Sequence, residues 1–253
     1  METSSESSKK GLNNIQLRTV AMVAMVALNV AWCGLIKNPY IQLPLGIIGS
    51  GSITLFVFLA DEAYRNTGNV TKYMLRLLLV SLISAIPYYF VYGDPAASVL
   101  SPANYFSSPM TIFLCVGSVL LFDKMKNKQL KIFAVVFLCI VSFIFGFEWC
   151  PFALAIMFIV HIYRENIQYR DFYITMFFVT FAIVNAVMYF MGFFKNADEV
   201  IRNVSLVGCA WPVFLIRKYD GTLGKSVKFL SNSAYPLMIV TILLIKFLLE
   251  AKG

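Results

Sequence analysis

Residues 53–88 read ITLFVFLADEAYRNTGNVTKYMLRLLLVSLISAIPY: an apolar run, one short polar turn, and a second apolar run. Each run approaches the ~20 apolar residues that a helix needs to cross a bilayer. In hydrocarbon every backbone N–H and C=O must be bonded within the protein, which leaves helices and closed barrels as the spanning structures. The stretch therefore predicts a helical hairpin with its polar turn at one membrane face. In that turn Asp61 and Glu62 close the first helix, and Lys72 and Arg76, one helical turn apart, open the second.

The rest of the chain repeats this pattern. Of 253 residues, 59% are hydrophobic and 13% charged, and the mean hydropathy is +0.76. A soluble domain carries about 25% charge. The implied fold class is all-α, a polytopic transmembrane helical bundle of about nine spans at roughly 20 residues each plus short loops. Apolar runs stand at 17–35, 43–60, 73–91, 109–122, 132–146, 151–163, 172–194, 200–216 and 234–249. Residues 1–16 are expected to be a disordered polar tail, and 17–253 a single membrane domain. No small-residue cleavage site follows the first run, and Trp32 stands where a lipoprotein signal needs a small residue, so that run reads as a retained span.

The net charge of +8 does not point to nucleic acid in such a chain. Basic residues gather in cytoplasmic loops and set topology. With the N-terminus in the cytoplasm and nine alternating spans, 16 of the 21 Lys and Arg fall on the inner side. The loop 93–108 has no Lys or Arg and is long enough to fold over the outer mouth. Gly46, Gly49 and Gly51 interrupt the second run and suit close helix contact or an unwound segment. Cys33, Cys115, Cys139, Cys150 and Cys209 are scattered through apolar runs and read as reduced core residues, not metal ligands.

Four stretches resemble one known family. Phe56–Leu59, Glu62, Thr67, Asn69, the KYMLRL of residues 72–77 and the ISAIP of residues 83–87 match the F-x-F-L, Glu, T-x-N, KYLLRL and I-S-x-I-P pattern of the TraX family, integral membrane proteins whose type member is the acetylase of conjugative F-pilin. LRTVAMVAM at 17–25, FEWCPFALAIMFIVHIYR at 147–164 and KYDGTLGKSVKFLSNSAYPLMIV at 218–240 are similar to further family stretches in the same order. The chain also departs from the family. Where the first helix usually carries Asp-His, it has Leu28 and Asn29. Met238 follows Tyr235-Pro236-Leu237 where a His is usual, Asn66 replaces the His before the turn, and His161 matches no family histidine.

The resemblance implies an acyltransferase moving acetyl from acetyl-CoA, with no metal, to a peptide amine or a hydroxyl on a surface polymer, in the bacterial cytoplasmic membrane among its lipids. A catalytically inactive binding or assembly partner and a small-molecule transporter are the alternatives. Acyl transfer needs a base, oxyanion donors and a held thioester. Glu62, beside Asp61, is the catalytic base candidate, because burial and like charge raise a carboxyl pKa. The competing reading has both acids capping the helix end and pairing with Arg65. Lys72 and Arg76 are the cofactor-binding candidates, able to hold phosphates. Their competing role is topology and lipid contact, with Glu62 as the natural ion partner of Arg76. Tyr235 is an oxyanion donor or an interfacial anchor at the start of the last helix. Glu148 and Trp149 read as a helix cap, His161 as a satisfied interface residue, and Asn29 and Asn185 as helix bridges.

Overall fold

The computed structural model describes residues 11–34, 36, 38–93, 106–149, 151–194, 196–222 and 228–250. Each of the expected apolar runs carries helix. These are α1 (Asn14–Trp32), α2 (Pro39–Asn66), α3 (Val70–Tyr92), α4 (Ser108–Lys124), α5 (Lys128–Ile144), α6 (Phe152–Ile162) and α7 (Ile167–Phe190). The eighth run is broken into α8 (Ala197–Ser205), a 3-10 segment (Leu206–Ala210) and α9 (Val213–Ile216), and α10 (Lys228–Glu250) closes the chain. Among the described residues, five segments are long and apolar enough to cross a membrane: α1, α2, α3, α7 and residues 199–216. Most of the expected outer loop, residues 94–105, lies outside the described residues, as does Cys150.

Local chemistry sets the boundaries. Asn13 and Gln16 form a reciprocal capping box, so α1 starts at Asn14, inside the segment expected to be tail. Leu12 pairs with the chain at Lys218 and Asp220, which fixes the approach to α1. The T-x-N turn is a helix cap in physical terms: Asn69 accepts the backbone N–H of Lys72 and so starts α3.

Helix α2 is the axis of the bundle, 28 residues or about 42 Å long at 1.5 Å per residue. A Cβ at Gly49 would strike the backbone of Leu28 in α1, one at Gly46 would strike Ser205, and one at Gly51 would strike the ring of Trp211. The expected close contact is therefore made, and α2 continues through it without unwinding. The broken eighth run lies against α2 at Gly46 and Gly51. Its irregular backbone is bonded to α2: Thr54 Oγ1 donates to Cys209 O at 2.8 Å, Cys209 Sγ to Ser50 O at 3.1 Å, and Trp211 Nε1 to Ile48 O at 3.2 Å. Non-helical backbone away from water needs such partners.

The surface of the bundle is apolar. Leu75, Leu79, Ile83 and Phe90 on α3, Phe133, Phe137 and Ile140 on α5, and Ile183, Val187 and Phe190 on α7 are all exposed. A soluble protein buries such rows; in a bilayer they meet lipid.

The bundle has two distinct ends. The near end is where α1 and α3 begin and α2, α4 and α6 finish. The far end is where α1 and α3 finish, around Trp32 and Tyr92. Helix α6 has only 11 residues, about 16 Å. The turn that precedes it, carrying Glu148 and Trp149, meets the ends of α1 and α3 at the far end, with Trp149 against Trp32.

Candidate functional site

The near end holds a charge network. Asp61, fully buried, accepts Arg65 Nε at 3.0 Å and lies 2.6 Å from His161 Nδ1. The other ring nitrogen of His161 lies 3.0 Å from Asp123 Oδ1, and Tyr64 donates its hydroxyl to Asp123 Oδ2 at 2.9 Å. Arg65 Nη2 also donates to the His161 carbonyl at 2.6 Å. Glu62 pairs with Arg164 at 2.9 Å and accepts Asn66 Nδ2 at 3.4 Å.

This network answers several sequence expectations. Asp61 pairs with Arg65 as their i, i+4 spacing predicts. The expected Glu62–Arg76 pair is not formed: Glu62 turns to Arg164, and Arg76 is exposed on α3, as is Lys72. Arg164 wins because α6 ends beside α2, whereas Arg76 lies one helical turn further into α3. Asp61 is held by Arg65 and His161, and Glu62 by Arg164 and Asn66, so the network pins α2, α4 and α6 together at this end.

A second group lies deeper, toward the far end. Ser108, in the first turn of α4 and 6% exposed, donates its hydroxyl to Glu148 Oε2 at 2.6 Å. The backbone N–H of Ser108 bonds the same carboxyl. Thr111 Oγ1 donates to the Glu148 carbonyl, and the Glu148 N–H to Phe106 O at 3.1 Å. Trp149 has φ of 69°, a left-handed conformation rarely adopted by a bulky residue. Its buried ring stacks on Trp32 with centroids 5.3 Å apart, which holds that backbone in place. Strained residues of this kind cluster at functional sites. Glu148 does not cap α6 as expected; the cap residue there is Pro151, without a side-chain bond. Glu148 belongs to the turn between α5 and α6, and burial pushes its carboxyl up to about 7, against the pull of the Ser108 bonds.

Tyr235 joins this group. Helix α10 begins at Lys228, so Tyr235 lies inside it, 7% exposed, and hydrogen-bonds Ser108. The interfacial-anchor reading is corrected: the helix starts about two turns earlier than the Tyr-Pro pair suggests. Asn29, at the place of the family's first-helix histidine, takes the Tyr92 hydroxyl on Oδ1 at 2.7 Å and so bridges α1 to α3. Asn185 instead donates to Phe181 O of its own helix at 2.8 Å.

Two cavities flank the Ser108–Glu148 bond. One is an apolar channel of about 210 Å³ that runs from Arg18 and Tyr73, toward the near end, to Ser108 and Tyr235, past Met22, Leu77 and Met238. The other is a polar cleft of about 470 Å³ at the far end, lined by Asn29, Trp32, Tyr88, Tyr92, Glu148 and Arg202. Glu62, Lys72 and Arg76 line neither. Sequence reasoning misses Ser108 altogether and assigns Glu148 only a capping role. The one local signal is an acid between Phe147 and Trp149 in an otherwise apolar stretch.

An apolar-surfaced helical bundle with buried polar groups between its helices is a polytopic membrane protein. Its family follows directly: the TraX family model, described as "TraX protein", matches residues 14–246, and the chain belongs to that family. No curated protein and no solved structure matches it. Among the described residues no group of His, Cys, Asp and Glu is arranged to hold a metal ion.

Proposed function

We propose that the protein transfers an acyl group, acetyl from acetyl-CoA, to a hydroxyl or amine acceptor presented from the opposite side of the membrane. The observation that carries this reading is the Ser108–Glu148 pair standing between an apolar channel and a polar cleft. A narrow apolar channel suits the arm of a thioester donor; a cleft of phenols, an amide, a carboxyl and a guanidinium suits a polar acceptor.

In this reading the near end faces the bacterial cytoplasm, as the loop charges favour, and the alternating helices cross the membrane nine times. The diphosphate of the donor rests at the channel mouth near Arg18, with Lys72 and Arg76 on the exposed start of α3 as further phosphate contacts. Glu148 takes the proton of the attacking group. The Tyr235 hydroxyl donates to the developing oxyanion. Asp61 and Glu62 act as structural locks. Support against an inactive partner comes from Leu28 and Met238, which replace or adjoin the family's histidine places yet line open cavities. A transporter reading has no comparable support, because a buried hydrogen-bonded pair separates the two spaces.

The test is acetyl-CoA binding by calorimetry and release of free thiol by the detergent-purified chain, with Glu148→Gln and Tyr235→Phe beside it. Native turnover is expected, with Glu148→Gln slowed about 10²- to 10⁴-fold, the usual worth of a positioned base. Full activity in Glu148→Gln, or no acetyl-CoA binding by the native protein, overturns the reading.

A further inference from the structure

We infer that Ser108 is a transient acyl carrier, so that transfer proceeds in two displacements through an acetyl-Ser108 ester. This rests on the acyl-transfer reading above and adds to it the nucleophile.

The layout requires an intermediary. Direct transfer needs the acceptor atom and the thioester carbon about 3–3.5 Å apart in one space. Here Ser108 lines the donor channel and Glu148 lines the acceptor cleft, and a 2.6 Å bond joins the two residues. A hydroxyl donated to a fixed carboxylate is the activated arrangement for nucleophilic catalysis: nucleophile and base within hydrogen-bond reach, and the base oriented by further groups. The orienting groups are present. The Ser108 N–H and the Thr111 hydroxyl hold the carboxyl and carbonyl of Glu148, and the Trp149–Trp32 stack holds the turn. A second observation points the same way. The indole N–H of Trp32, which lines the acceptor cleft together with Glu148, is buried and has no hydrogen-bond partner among the described residues. A buried polar group left unsatisfied in a folded protein calls for an explanation. At this cleft it is a donor left for the acceptor that attacks the Ser108 ester.

The chemistry balances. Ser108 Oγ attacks the thioester carbonyl and its proton passes to Glu148. The C–S bond breaks, and the leaving thiolate takes the proton back from Glu148 to leave as free CoA thiol. The acceptor hydroxyl or amine then attacks the Ser108 ester from the cleft, Glu148 takes its proton, and the Ser108 oxygen leaves and is reprotonated by Glu148. No oxidant, metal or further reagent is consumed.

The deciding experiment incubates the full-length, detergent-purified protein with acetyl-CoA and no acceptor. Free thiol is followed on the millisecond-to-second scale, and the peptides are mapped by mass spectrometry. A burst of one thiol per chain is expected, with one acetyl group on the peptide carrying Ser108, removable by hydroxylamine. Ser108→Ala is expected to lose both the burst and the adduct, and Ser108→Cys to carry the acetyl as a thioester. The cysteine variant keeps the test valid should the alanine variant fail to fold. Turnover without burst or adduct, with Ser108→Ala as active as the native chain, overturns the carrier while leaving acyl transfer standing. No binding and no thiol release by the native chain removes both.

Discussion

Glu148 is where single-residue chemistry has the largest consequence. Its carboxyl is raised from 4.5 to about 7, chiefly by burial. The native state thus keeps a proton that the unfolded chain has already lost. The resulting stability is present in full below pH 4.5 and is lost as pH rises through about 7. Thermal unfolding in detergent is expected to show that decline, and Glu148→Gln to flatten it. Turnover runs the other way: a base must be deprotonated, so thiol release rises with pH with a midpoint near 7. The near end makes a contrasting pair of predictions. Asp61→Ala strips a fully buried carboxylate from Arg65 and His161 and is expected to cost about 3 kcal/mol, the usual penalty for breaking a buried pair. Glu62→Gln loses the Arg164 pair and is expected to keep native thiol release. A folded but inactive Glu62→Gln would move the base to the near end and remove Glu148 from that role.

Among the elements, α2 carries the most packing and tolerates the least change on its glycine face. Gly49→Ala places a methyl group against the Leu28 backbone, which has no side-chain freedom to yield. Overpacking of this kind costs about 1–3 kcal/mol, and the thermal midpoint in detergent is expected to fall accordingly. Gly68→Ala is the control, because nothing lies within 4 Å of a Cβ there; its midpoint is expected to stay at the native value. Equal loss at both positions would show that the effect does not come from contact with Leu28. The placing of Gly46 and Gly49 on one face is legible in the sequence, because residues three apart share a helix face. So is the T-x-N cap, a bond spanning three residues. The start of α10 is not, because Tyr-Pro resembles a helix opening; a proline tolerated further inside a helix looks the same in sequence.

Across the whole molecule, the near end and the far end must lie on opposite sides of the membrane for the proposed route to operate. In a cysteine-free background, Lys126→Cys between α4 and α5 is expected to react with an impermeant maleimide only after the membrane is opened. Met191→Cys, exposed just beyond α7, is expected to react in intact cells. Labelling of both from one side would overturn the alternating arrangement and the route with it.

By itself the amino-acid order determined that this chain is a helical membrane protein of the TraX type, which stretches carry helix, and that the glycines of α2 mark close contacts. These properties depend on composition and on spacings of a few residues, and both are written directly in the order of side chains. The tertiary structure alone decided that Ser108 meets Glu148, 40 residues away, and that Asp61 meets His161, 100 residues away. Those meetings depend on how α4 and α6 pack against each other and against α2. No local periodicity records that arrangement; it is set by the close approach of α1 and the broken eighth run to α2 and by the packing of α4 and α6 around it.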